Sequence, residues 1–196
     1  MDQPRTLKDD SERGRRLGML RLPHVRSLTK FVEEMNKAKV HGSIPYFDPL
    51  DGGVRAKALF LFEKPGPRAF KSGFISRNND DPTAENTFRF MAQAKLPRSE
   101  TCLWNVIPGW NGERKITASE LDAGIESLQR VFGLMPNLKI IVLVGLRAQT
   151  IENRLSLPPA KILKSFHPSP INYAVSPEKW RSIPQEWAKA RRFLQL

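Results

Sequence analysis

Three short segments hold the side chains whose types and spacing could do chemistry: FEKPGP (62–67), WNVIPGW (104–110) and FHPSP (166–170). Glu63 brings a carboxylate, and Asp80 and Asp81 in SRNNDDPTAEN bring two more; ionised, each accepts protons or hydrogen bonds. Asn105 carries an amide, an acceptor and a donor in one plane. His167 carries an imidazole that, when neutral, donates one N–H while its other nitrogen is held by a backbone group. Other chemistries are excluded or unsupported. Cys102 is the only cysteine, which rules out an intrachain disulfide or a thiolate-held cluster and leaves core packing as its expected role. His24, His41 and His167 lack HxxxH or HExxH spacing, so no metal and no other cofactor is expected.

The elements that must position these groups are strands alternating with helices. The apolar run 56–62 (AKALFLF), bounded by DGG and KPGP, reads as a buried strand; 101–107 and 138–144 read as two more, and 161–166 as a weaker fourth. Leu28, Phe31, Val32 and Met35 form the stripe of an amphipathic helix ending near Gly42. Asp81 before Pro82 is an N-cap with proline at the first helical position, followed by Phe88, Met91 and Ala94 on one face. Thr117 with Glu120 forms a capping box ahead of Leu121, Ile125, Leu128 and Phe132. A short helix over 146–155 and a C-terminal one over 177–196 complete the set. This alternation predicts a parallel sheet covered on both faces, with ligands held beyond the carboxyl ends of its strands. Attention therefore falls on the loops after Phe62, after Ile107 and after Phe166.

Taken in order, the three loops resemble the signature segments of uracil-DNA glycosylases: a Pro-Gly loop after the first strand, an asparagine on the next, and a late HPSP after the last. The resemblance runs from about residue 57 to 173 and implies a three-layer α/β/α sandwich with a central parallel sheet of about four strands. It implies that His167 donates to the base carbonyl on which negative charge develops, and that Asn105 reads the Watson–Crick edge of a flipped uracil. It further implies that Lys64, Pro65 and Gly66 line the base pocket, that Phe74 rather than Phe70 stacks the base, and that Ser169 meets a phosphate. Ile171 or Tyr173 would be the wedge that fills the vacated place in the stack. One position departs from the pattern: where classical members have aspartate before the proline, this chain has Lys64, which while protonated cannot be a base. The water-activating group is then Glu63 or Asp81, or else Asn78 or Asn79 positions a water. Arg68, Lys71, Arg77, Arg147 and Lys164 are expected near phosphates.

Charge points the same way, since 32 Lys and Arg against 20 Asp and Glu give +12, a balance suited to nucleic acid. Residues 1–22, with Arg5, Arg13, Arg15, Arg16 and Arg21, read as a flexible basic arm, and 23–196 as the glycosylase-like domain. No apolar run approaches the roughly 20 residues of a membrane helix, and MDQPRTLKDDSERGRR contains no signal peptide, so a cytoplasmic monomer with no membrane partner is expected. The expected reaction is hydrolysis of the N-glycosidic bond of uracil, or of other deaminated bases, in DNA. The competing expectation is a DNA-binding module that keeps the fold without the reaction.

Overall fold

Three strands consist of side chains that only a doubly covered sheet can bury: ALFLF, TCLWN and IIVLV are buried at every position. The protein is described by a computed structural model covering residues 2–38, 42–156 and 158–194. In chain order its elements are α1 (Asp10–Gly18), α2 (Arg26–Ala38), β1 (Tyr46–Phe47), β2 (Ala58–Phe62), α3 (Pro67–Ser72), β3 (Phe74–Ile75), α4 (Pro82–Gln93) and β4 (Thr101–Asn105). They continue with α5 (Ala118–Leu134), β5 (Ile140–Val144), α6 (Leu146–Gln149), β6 (Lys161–Ser165), α7 (Pro170–Val175), α8 (Pro177–Arg181), α9 (Ile183–Ala188) and α10 (Arg191–Leu194). The main sheet is parallel in the order β4-β2-β5-β6, and β1 and β3 form a small parallel pair beside it.

Register shows how the layers form. Leu61 pairs with Trp104, and Phe60 with Leu103, so Trp104 and Phe60 lie on opposite faces of the sheet. Trp104 stacks on Phe47 at 3.7 Å and meets Phe31 of α2 edge-on. Phe60 meets Trp187 of α9, which also contacts Phe90 of α4. Helices therefore cover both faces, the expected three-layer arrangement with four parallel strands. Edge strand β6 keeps Lys161 and Lys164 exposed, a charged edge that resists pairing with another sheet. Cys102 lies fully buried in β4.

Several expectations need correcting. Residues 2–22 are not an arm without structure: they hold a 3-10 turn and α1, and Leu7 and Leu20 pack on Phe74 and Tyr46. Arg16 is buried, bonded to Asp48 and, at 2.7 Å, to Glu12. The charges that looked like a solvated run are satisfied by partners distant in sequence, which composition cannot register. The helix expected over 177–196 is three short ones, because Pro184 cannot continue a preceding helix and opens α9 instead; residues 195 and 196 lie outside the described residues. The helix expected over 146–155 is α6 plus a 3-10 turn at Glu152–Arg154. The end of α2 expected near Gly42 falls by residues 39–41, which with His41 are also outside the described residues.

Candidate active site

A cleft of about 1360 Å³ opens over the carboxyl ends of the four main strands and is lined by residues from the loop that follows each of them. That is larger than a typical small-molecule pocket, about 300–1,000 Å³, and suits one unit of a longer polymer.

Asn105 and His167, 62 positions apart, share this cleft. Asn105 ends β4 in register with Phe62, is only 4 % exposed, and its amide has no hydrogen-bond partner among the described residues. A ligand that displaced water from this amide without replacing its hydrogen bonds would lose about 1–3 kcal/mol, so its natural complement is a ligand with a donor and an acceptor of its own. The His167 ring stands edge-on to Phe62, centroids 5.6 Å apart and planes at 88°. Burial pulls its pKa from 6.5 down to about 4, which leaves a neutral imidazole at neutral pH. The backbone group expected to hold its second nitrogen is not found among the described residues. Packing fixes the ring instead: Gly145 has φ +88°, and a Cβ there would come within 3.1 Å of the His167 Cβ. The positive φ at 145 favours glycine, and a side chain there would press on His167.

Three carboxylates line the cleft, and one of them, Glu186, is paired with Lys189 at 2.6 Å. Glu63 lies 3.4 Å from Arg147 Nε, while its carbonyl accepts the Ile107 N–H at 2.8 Å and so ties two of the loops together. Asp81 caps α4, accepting the Ala84 N–H at 2.9 Å. Burial pushes its carboxyl up from the ordinary value, and the amides of Ala84 and Thr83 draw it part of the way back. Unlike Glu63, it has no cation within ion-pair distance among the described residues. Capping and facing the cleft are therefore compatible at Asp81.

Lys64 lines the cleft too, yet its side chain is only 5 % exposed. The ammonium donates to Glu120 and to Asn111 Oδ1, both at 2.9 Å, and to the Lys115 carbonyl at 3.3 Å. All three of its protons are engaged, so it straps the loop before α5 to the Pro-Gly loop. Pro65 and Gly66 line the opening where α3 begins.

Four residues expected at the site are engaged otherwise. Phe74 belongs to β3 and lies fully buried against Leu7 and Leu20, outside the cleft; spacing put it near the pocket, but the pleat turned it the other way. Arg77 is buried and points to Thr101 Oγ1 at 2.8 Å and Asp51 at 3.3 Å, so no phosphate reaches it. Asn79 borders the cleft, but its amide is already consumed, receiving from Ser72 Oγ at 2.6 Å and donating to the Phe74 carbonyl at 2.9 Å. Asn78 is spent in the same way on the N-terminal segment, donating to the Gln3 carbonyl.

Around the mouth, Ser169 caps α7 from within the cleft lining, and Ile171 stands 69 % exposed. Tyr173 does not line the cleft: it rests on Trp180 at 5.0 Å beneath Arg181, which favours Ile171 as the wedge. Arg68, Arg147 and Lys164 border the opening, and Lys71 does not. Residues that sequence reasoning missed are Leu146, Val175, Arg114 and Lys179 at the mouth, and the aromatics that line the cleft where Phe74 does not, Phe62, Trp110, Phe166 and Trp180. The signal for Leu146 was present, since the rule that points to the ends of parallel strands applies equally to the loop after Val144.

Compared with models of protein families, the chain matches that of the Uracil DNA glycosylase superfamily over residues 49–192, a span that includes every candidate residue above. No curated protein matches it.

Proposed function

The chain belongs to the uracil-DNA glycosylase superfamily, and from that membership we propose that it hydrolyses the N-glycosidic bond of deoxyuridine in DNA. Membership carries a DNA glycosylase-type function and DNA as partner; the choice of uracil rests on one observation. Asn105 lines the same cleft as a neutral His167, and its amide makes no hydrogen bond among the described residues. Uracil offers N3–H and O4 to that acceptor and donor, and its O2 to the imidazole N–H.

In this reading the sugar–base bond breaks with its electron pair leaving on uracil, and His167 donates a hydrogen bond to the oxygen that gathers the charge. A water adds to the sugar carbon and gives its proton to a carboxylate. Asp81 fits that step better than Glu63, because burial favours its proton-accepting range while Glu63 is held by Arg147. Asp81→Asn, which retains the cap, should lower turnover by about a hundredfold, and Glu63→Gln by far less. The reverse order, measured as single-turnover excision, would move the role to Glu63.

The direct test is incubation with a uracil-containing oligonucleotide, followed by alkali to break the chain at abasic sites. Cleavage is expected; none at micromolar protein, on either single-stranded or duplex substrate, would reject the reaction. One observation favours the second reading, a DNA-binding module without catalysis: the family's aspartate position holds Lys64, whose ammonium is wholly engaged. The same assay decides between them. Asn105→Ala should cut the preference for uracil over other deaminated bases by on the order of tenfold or more, because a hydrogen-bonding reader is lost. An unchanged ratio of kcat/KM values across a lesion panel would remove Asn105 as the reader.

A further inference from the structure

Eight large apolar side chains stand exposed among the described residues, and four of them, Leu146, Phe166, Ile171 and Val175, ring the mouth of this one cleft. Exposed leucines scattered singly need no explanation, whereas a cluster at one opening marks a contact surface. The same rim carries Arg68, Arg114, Arg147, Lys164 and Lys179, and neither Arg114 nor Lys179 has a carboxylate partner among the described residues. Apolar tips among cations match a polymer that is apolar between its bases and anionic outside, which is nucleic acid.

Leu146, 74 % exposed, begins α6 directly after Gly145, the turn that touches His167; Ile171 follows His167 by four residues. The two side chains thus reach the mouth from the loops after the neighbouring strands β5 and β6, on either side of His167. Resting on the glycosylase reading, we propose that Leu146 is a second wedge acting with Ile171, and that the mouth is built for duplex rather than single-stranded DNA. A base extruded from a duplex leaves a gap whose two faces need covering, while a flexible single strand leaves no such gap. A second apolar side chain beside the pocket is useful only on the first substrate.

Leu146→Ala removes an exposed side chain, so the fold survives. Excision from duplex DNA should fall about tenfold, the lower end of what stacking on one base is worth, while single-strand excision stays within about twofold. Duplex DNA with 2-aminopurine beside an uncleavable 2′-fluorinated deoxyuridine reports unstacking without excision: the parent should raise its fluorescence and the variant should not. A variant equal to the parent on duplex, or slowed equally on both substrates, overturns the wedge while leaving the glycosylase reading intact. A parent that neither excises uracil nor raises fluorescence overturns both.

Discussion

His167→Ala should slow uracil excision by about a hundred- to a thousandfold while leaving affinity for DNA unchanged, since under the proposed reaction it removes a donor used only as charge develops on the leaving base. The cations and apolar side chains proposed to meet the DNA are untouched by the change, and the imidazole makes no side-chain hydrogen bond among the described residues whose loss could deform the cleft. Turnover equal to the parent's would take His167 out of the mechanism. Acidity gives a second readout. Because burial holds the His167 pKa at about 4 against 6.5 for a free imidazole, the kcat profile should show no limb near pH 6.5 from this group. Its effect on stability has a definite sign. The unfolded chain takes up this proton first, so the contribution is whole above about pH 6.5 and is lost as the pH falls toward 4. In urea titrations across that window, His167→Ala should flatten the pH dependence of stability.

Why some of this was legible in the sequence and some was not follows from where each side chain finds its partner. The main strands were legible because a sheet covered on both faces demands unbroken apolar runs, and ALFLF and IIVLV have no other reading of that length. Thr117 with Glu120 and Asp81 before Pro82 were legible as helix starts because a cap is satisfied within three residues. His167 and Asn105 were placed in one cleft because a parallel sheet gathers the ends of its strands, whatever the sequence distance between them. Orientation was harder. Phe74 sits within reach of the pocket along the chain, but a two-residue strand paired with β1 turns its ring toward Leu7, and one residue of phase decides the face. Arg77 was expected near a phosphate and Lys64 in the pocket lining, since their partners Asp51, Thr101, Asn111 and Glu120 are 24 to 56 residues away. Long-range ion pairs leave no period and no local composition to detect.

The N-terminal segment is the largest such case, and Asp48→Ala should expose how much rests on it. The Asp48 carboxylate is fully buried and accepts from Arg16 and Ser76, from Arg98 at 2.6 Å, and from the Leu50 amide at 3.0 Å. Burial alone would raise its pKa, but Arg98 and Arg16 beside it hold it below the ordinary value. Alanine would leave Arg16, itself buried, with Glu12 as its remaining acidic partner, and breaking a buried pair from one side costs about 3–5 kcal/mol. That is a large share of the roughly 5–15 kcal/mol that holds a domain folded. The urea midpoint should fall accordingly with the slope unchanged, and α1 should open to trypsin at Arg13, Arg15 and Arg16 before the rest of the chain does. Asp48→Asn, which keeps one acceptor oxygen for either the Leu50 amide or Ser76 but not both, should lose less. The consequence extends to the cleft, because Ser76 and Asn78, which share this network, begin the segment that ends in Asp81. Turnover should therefore drop in Asp48→Ala even where the protein remains folded, with affinity for DNA retained. A midpoint within experimental scatter of the parent's would show that the N-terminal segment rests on the domain without supporting it.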